Sequence, residues 1–276
     1  MAMSIRTNIA SLNAQRNLGS TQSTLDSSMS RLSSGFRITK AGDDAAGLGI
    51  STKLESQIRS YAQATRNAND GLSVIQSTES ALNESASILT RLRELAMQSA
   101  SDGIGNTERG YVQQEATALV DELERIAQVT EYNGTKLLTG GSSLDFQVGI
   151  ANSSNDKITF TAINATTSTG SGLGVTGLSL TSKASAQSAL ATIDSALAAV
   201  SNSRSQLGAA GNRLEASIRN IQAFSESLSS ANSRIKDVDV AEETSRMARA
   251  QILSQAGVSV LAQANQQPQL ALKLLG

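Results

Sequence analysis

The chain has 276 residues, a formal charge of −1, 3% aromatic residues, no Trp, His or Cys, and one Pro. Without His or Cys there is no disulfide, no thiolate or imidazole metal ligand and no Ser–His or Cys–His nucleophile pair. The near-zero charge gives no electrostatic reason to expect nucleic acid or an anionic membrane as partner. With so few aromatics, packing must rest on Leu, Ile, Val and Ala, which suits helix seams better than a thick globular core.

Residues 1 to about 33 predict an amphipathic helix carrying Ile5, Ile9, Leu12, Leu18, Leu25, Met29 and Leu32. The apolar phase slips near Gly19, and the polar face is Ser, Thr, Asn and Gln with few charges. Such a helix is marginal alone and is expected to need a partner. Gly35, Gly42, Gly47 and Gly49 then punctuate the chain. Asp43 or Asp44 is expected to cap the next helix, a reading preferred to a metal site at the paired carboxylates.

From Leu54, alternating steps of four and three pick out Leu54, Ile58, Tyr61, Thr65, Ala68, Leu72, Ile75, Glu79, Leu82, Ala86, Leu89, Arg93 and Ala96. Ten of these thirteen are apolar, and Val74, Ile88, Leu92 and Leu95 widen the stripe enough for two neighbours. Val112, Ala116, Leu119, Leu123 and Ile126 predict a shorter third helix that ends before the turn dipeptide Asn133-Gly134. Leu144–Ile150 and Ile158–Ile163 alternate as short strands within a Gly-, Ser- and Thr-rich stretch. Gly172, Gly174 and Gly177 match G-x-G-x-x-G. No strand leads into them and no helix opens on them, so they are expected to be turn glycines and not a nucleotide loop.

The most regular stretch is Ala186–Ile235. Its four-three positions are Ala186, Leu190, Ile193, Leu197, Val200, Arg204, Leu207, Gly211, Leu214, Ile218, Ile221, Ser225, Leu228, Asn232 and Ile235, and eleven of the fifteen are apolar. A 3.5-residue repeat held this long predicts a coiled-coil helix roughly 74 Å in length that needs a long partner. Thr65, Glu79, Arg93, Arg204 and Asn232 interrupt the seams and are expected to set register as buried polar residues; a catalytic Glu79–Arg93 pair is not expected. Beyond Glu243 no acidic residue follows, and Met247, Ile252, Leu253, Val258, Val260, Leu261, Leu270, Leu272, Leu274 and Leu275 make the end broadly apolar. Its three cations are few for a membrane-surface helix, so burial against protein is preferred. No run of about 18 apolar residues occurs, so no membrane insertion is expected, and no cleavable secretory signal is visible.

These elements predict a mainly α fold, an elongated antiparallel helical bundle or coiled-coil rod with a small β-hairpin region and paired terminal helices. Residues 1–42 and 236–276 would form the two halves of an inner terminal-helix domain. Residues 43–139 and 183–235 would form the helical rod, and 140–182 the β-hairpin region at its outer end. Charge-poor, sticky ends of this kind would bury their apolar faces against further copies of the chain. A contact between copies that does not close into a ring builds a helical filament.

Several stretches resemble bacterial flagellins. They are Arg31-Leu-Ser-Ser-Gly-Phe-Arg-Ile38, Asp43-Asp-Ala-Ala-Gly47, Arg66-Asn-Ala-Asn-Asp-Gly71 and Arg93-Glu-Leu-Ala96 in the first half. In the second half they are Ser233-Arg-Ile235, Arg249-Ala-Gln-Ile-Leu253 and Ser259-Val-Leu-Ala-Gln-Ala-Asn265. The middle is short, as in a minimal flagellin with little outer decoration. The resemblance implies a non-enzymatic structural subunit, without cofactor, that polymerises into the extracellular flagellar filament. Assembly would run through the terminal helices, at Ile5, Ile9, Leu12, Leu18, Leu25, Leu32, Ile252, Leu253, Val260, Leu261, Leu272 and Leu275. Implied partners are further copies of the chain, an export chaperone on the C-terminal helix, the type III export apparatus, and the filament cap and hook-associated proteins. Toll-like receptor 5 is a further implied partner, through a patch matching Arg91, Leu95 and Glu115. A hook–filament junction protein of the same superfamily is the alternative. Protease domains found in the variable region of some flagellins are not expected in a region so short and without His or Cys.

Overall fold

A computed structural model describes residues 7–141, 143–170 and 172–275, with side chains up to 266. Five helices dominate: α1 (Ile9–Ser34), α2 (Ala45–Ser99), α3 (Asn106–Val129), α4 (Lys183–Lys236) and α5 (Val240–Leu275). Four short strands lie between α3 and α4: β1 (Glu131–Tyr132), β2 (Thr135–Lys136), β3 (Ser143–Gln147) and β4 (Lys157–Thr161). The chain divides into two compact units, residues 59–225 and residues 1–58 with 226–276. The fold is mainly α with small antiparallel hairpins.

In the unit formed by residues 59–225, α2 and α4 run antiparallel. Ascending positions on one meet descending positions on the other: the rings of Tyr61 and Phe224 stack with centroids 6.2 Å apart, Ile75 lies beside Gly211, Glu79 approaches Arg204 at 3.8 Å, and Arg93 bonds Asp194 at 2.7 Å. On α4 every four-three position from Ala186 to Ile235 is buried or half-buried. On α2 a second buried stripe, Val74, Ile88, Leu92 and Leu95, flanks the first and shares one core with α3 and α4. Leu82, Leu89, Leu123, Ile193 and Leu214 are among its fully enclosed members, each contributing about 1.5–3 kcal/mol by leaving water. Glu79 and Arg93 depart from the expectation of buried polar seam residues. Both are exposed at the seam's edge and reach across to α4, because a charge at the rim keeps its hydration while still bridging two helices.

The strand region is also smaller than its alternation predicts. β3 stops at Gln147 because the N–H groups of Val148 and Gly149 both donate to the Asp156 carbonyl, closing a turn. The β3–β4 register places Leu144 opposite Phe160 and Phe146 opposite Ile158, and these side chains share the inward face. The Asn133-Gly134 turn, with both φ angles positive, closes a separate hairpin, β1–β2, where only a helix stop was expected. Residues after β4 form irregular backbone held by side chains of α3. The Glu124 carboxylate accepts from the N–H and hydroxyl of Thr167 at 2.7 and 2.9 Å, and the Gln113 amide binds Leu178 and Leu180.

In the other unit, α1 packs antiparallel on α5. The positions of α1 that turn inward are Ser11, Ala14, Leu18, Thr21, Leu25, Ser28 and Leu32, in unbroken steps of three and four. The matching positions of α5 are Glu243, Met247, Ala250, Ser254, Gly257, Leu261 and Ala264. The predicted phase slip at Gly19 is therefore absent, and α1 runs through it as one helix. The slip was an artefact of following large apolar residues, since the seam is carried largely by Ala, Ser and Thr. Gly257 lets the helices approach: a Cβ there would lie 3.2 Å from Leu18 Cδ1. Where α1 ends and α5 begins, Arg37 N–H donates to Lys236 and Val238 N–H to Gly35, and Lys236 sits 4.4 Å over the Phe36 ring.

Gly71 is a tight passage in the core, since a Cβ there would meet the Phe146 ring at 3.0 Å and Leu214 at 3.2 Å. Gly71→Val is expected to lower the stability of the 59–225 unit by about 1–3 kcal/mol through overpacking, read as a reduced midpoint in denaturant unfolding.

Candidate functional site

The α1–α5 seam mixes small residues with Leu18, Leu25, Leu32, Met247 and Leu261, and further large apolar side chains face out of it. On α1, Ile9 is 63% exposed and Leu12 and Met29 are also exposed. On α5, Ile252 is 67% exposed, and Leu253, Val258 and Val260 are exposed with it. Of the residues singled out in the sequence, Leu18, Leu25, Leu32 and Leu261 are half-buried in the seam, while Ile9, Leu12, Ile252, Leu253 and Val260 lie on outer faces. Ile5, and the side chains of Leu272 and Leu275, lie outside the described residues. The pair is fastened near one end by Asn8, which caps α1 through Ser11 N–H and donates to the Ala264 carbonyl at 2.8 Å. Next to it, the Ser11 hydroxyl meets Asn265 at 2.8 Å.

The other fastening was not anticipated from sequence. Glu243, 4% exposed, accepts from the Ser28 hydroxyl at 2.6 Å. Its second carboxylate oxygen faces Arg31 at 3.9 Å and Arg246 at 3.8 Å. A charge this enclosed is tolerated only when it is paired and hydrogen-bonded. The signal available in the sequence was its place in the four-three series of α5, a series visible only when small residues are counted.

At the start of α2, Asp44 caps the helix and Asp43 closes the turn before it. Asp44 accepts from Gly47 N–H at 2.8 Å, the N-cap bond of the helix that begins at Ala45. Asp43 accepts from the N–H groups of Thr39 and Lys40 and from the Thr39 hydroxyl, each at 3.0 Å. Among the described residues no group of three or more His, Cys, Asp or Glu could hold a metal ion. No helix among them is long and apolar enough to cross a membrane. Gly174 and Gly177 take positive φ in the loop before α4, which opens only at Lys183.

On the 59–225 unit, Arg91 bridges Glu115 of α3 at 2.8 Å and Glu94 of its own helix at 2.9 Å. The bond to Glu115, then that to Glu94, raises the guanidinium further above its ordinary pKa. Leu95 is 2% exposed and packs in the core beneath this pair.

Paired helices that leave large apolar side chains in water along their outer faces define a class of helical structural protein made to associate with further chains. The comparisons with known proteins identify which. A model of the bacterial flagellin N-terminal helical region matches residues 5–143, and one of the bacterial flagellin C-terminal helical region matches residues 190–275. A flagellin of Halalkalibacterium halodurans is 43% identical over 99% of this chain and 100% of its own length. A flagellin of Bacillus subtilis is 41% identical over the same shares. The crystal structure of Bacillus cereus flagellin covers 56% of this chain and 88% of its own, at 29% identity and a TM-score of 0.50. The chain belongs to the bacterial flagellin family. It is a structural subunit of the flagellar filament and not an enzyme. A flagellar hook-associated protein of Vibrio parahaemolyticus covers 71% of the chain, and all of its own, with a TM-score of 0.59. At 15% identity that likeness is one of fold, and the junction-protein alternative is not favoured.

The three bonds to Asp43, led by those from the Thr39 and Lys40 backbones and aided by Arg31, hold its pKa down at about 2. Its contribution to the 39–43 turn is therefore full above the unfolded value of about 3.9 and is lost as pH falls through about 2. A carboxyl-carbon NMR titration is expected to place the Asp43 midpoint near 2; a midpoint near 4 would contradict the cradle. Glu243→Ala is expected to lower the stability of the α1–α5 pair by about 1.5–3 kcal/mol, the range for a hydrogen bond to a charged group. Hydrogen exchange should quicken in both helices and stay unchanged in the 59–225 unit.

Proposed function

We propose that polymerisation runs through the outward faces of α1 and α5, at Ile9, Leu12, Ile252, Leu253 and Val260. The helix-pair residues Leu18, Leu25, Leu32 and Leu261 hold those faces in place, Leu272 and Leu275 continue α5, and Ile5 lies outside the described residues. The observation that supports this most is the set of large apolar side chains that the helix pair leaves exposed outside its seam. A single copy leaves those faces in water, where each Leu or Ile forgoes about 1.5–3 kcal/mol of burial. Packing against neighbouring copies recovers it.

The same exposed α5 face gives an export chaperone a surface to cover before assembly. The subunit then leaves through the type III export apparatus and joins an extracellular filament between the hook-associated proteins and the cap. A third surface, Arg91 with Glu115, forms the part of the Toll-like receptor 5 patch that a receptor can touch, and Leu95 supports it from within.

Replacing Ile9, Leu12 and Ile252 together by Ser tests the assembly reading. Seeded polymerisation of the purified chain is expected to need roughly a thousandfold more protein, because each of the three lost apolar contacts is worth about tenfold or more. Far-UV circular dichroism of the monomer should be unchanged. A triple variant that grows at the original concentration would sink the assignment of these faces.

A further inference from the structure

The terminal helix pair leaves an open positive and an open negative charge on opposite flanks. An α-helix turns about 100° per residue, so on either side of the seam residue Leu25, Thr24 and Asp26 point to different flanks. Thr24 borders a groove that also contains Ser20, Arg246, Arg249 and Leu253. The opposite flank carries Asp26, with Met29 one turn on.

These charges are unequally matched within the chain. Of the three carboxylates on α1 and α5, Glu242 is held by Arg246 at 2.6 Å and Glu243 by Ser28, Arg31 and Arg246. Among the described residues Asp26 meets only the Gln22 amide, at 3.2 Å. Among the described residues Arg249 faces no carboxylate within ion-pair distance, and none follows it in the sequence. Each open charge is bordered by exposed apolar side chains: Arg249 by Ile252 and Leu253, Asp26 by Met29.

We propose that Arg249 of one copy pairs with Asp26 of the next, and that this contact sets the direction in which copies add. The inference rests on the reading that the terminal helices are the assembly surface. Two copies related by a two-fold axis would bring like flanks together and set arginine against arginine. A head-to-tail contact instead satisfies both charges of every copy with two different neighbours, and such a contact propagates as an open helical array. The apolar neighbours exclude water from the pair once it forms, which makes it stronger than an exposed ion pair. Opposite potentials on the two flanks also steer the encounter and penalise the wrong orientation.

The test uses seeded polymerisation of the full chain as wild type, Arg249→Glu, Asp26→Arg and the double reversal. Each single variant is expected to raise the critical concentration at least roughly tenfold through like-charge juxtaposition, with monomer helicity retained. The double reversal should return close to the wild-type value. An equimolar mixture of the two single variants should co-polymerise where neither grows alone, because every contact in an alternating array is then between opposite charges. Single variants that grow like wild type, or a double reversal and a mixture that grow no better than the single variants, would overturn the pairing and leave the apolar assembly surface standing. Failure of the wild type to grow on seeds would instead overturn the assembly reading on which the pairing rests.

Discussion

Much of the structure follows from how little room there is between α1 and α5. Gly257 lies under Leu18, Ala14 and Ser28 are buried on one helix, and Ala250 and Ala264 on the other. A seam of this kind brings backbones close but encloses little apolar area, and hydrophobic stabilisation scales with the area removed from water. Long helices held by so narrow a contact gain little from propensity alone. Ile9, Leu12, Met29, Ile252 and Leu253 fall off the seam series, so they are left outside. The constraint that shapes the pair thus also leaves an apolar surface for other copies to cover.

The 59–225 unit is arranged the other way. Leu82, Leu89, Leu92, Leu123 and Leu214 are fully enclosed, and the ion pairs Glu79–Arg204 and Arg93–Asp194 stand at the rim. Exposed pairs of this sort add about 0–1 kcal/mol each, too little to hold α2 against α4. A slip of the helices past one another would separate both pairs at once and bring apolar residues to the surface. Their contribution is therefore to alignment, while the leucines supply the stability. The unit closes its own core; the α1–α5 pair does not.

The long helices were legible in the sequence because their seams are apolar. Leu, Ile and Val at steps of four and three marked α4 from Ala186 to Ile235, and the same spacing marked the two stripes of α2. The seam of α1 was not legible by that rule. Ser11, Thr21 and Ser28 do not register as core, whereas Ile9, Leu12 and Met29 do, so following hydrophobicity mixed the outer face with the seam leucines and produced a false slip at Gly19. Periodicity likewise cannot show that Glu124 and Gln113 would order the loop before α4. Those contacts join residues some 43 and 67 positions apart and depend on α3 being in place first.

Glu243 and Asp26 illustrate the same limit at the level of single charges. Both are carboxylates on terminal helices, and composition treats them alike. One falls on the inward series of α5, where Ser28 and two arginines surround it; the burial of its charge is compensated inside the chain and ties the end of α1 to the start of α5. The other falls one residue past the seam, where only a glutamine amide reaches it. An inward charge must find its partners within its own fold or lose several kcal/mol. An outward charge is under no such requirement and stays available to a neighbour. The division between what holds the helix pair together and what remains for assembly is therefore set by helical phase, a displacement of 100° about the axis.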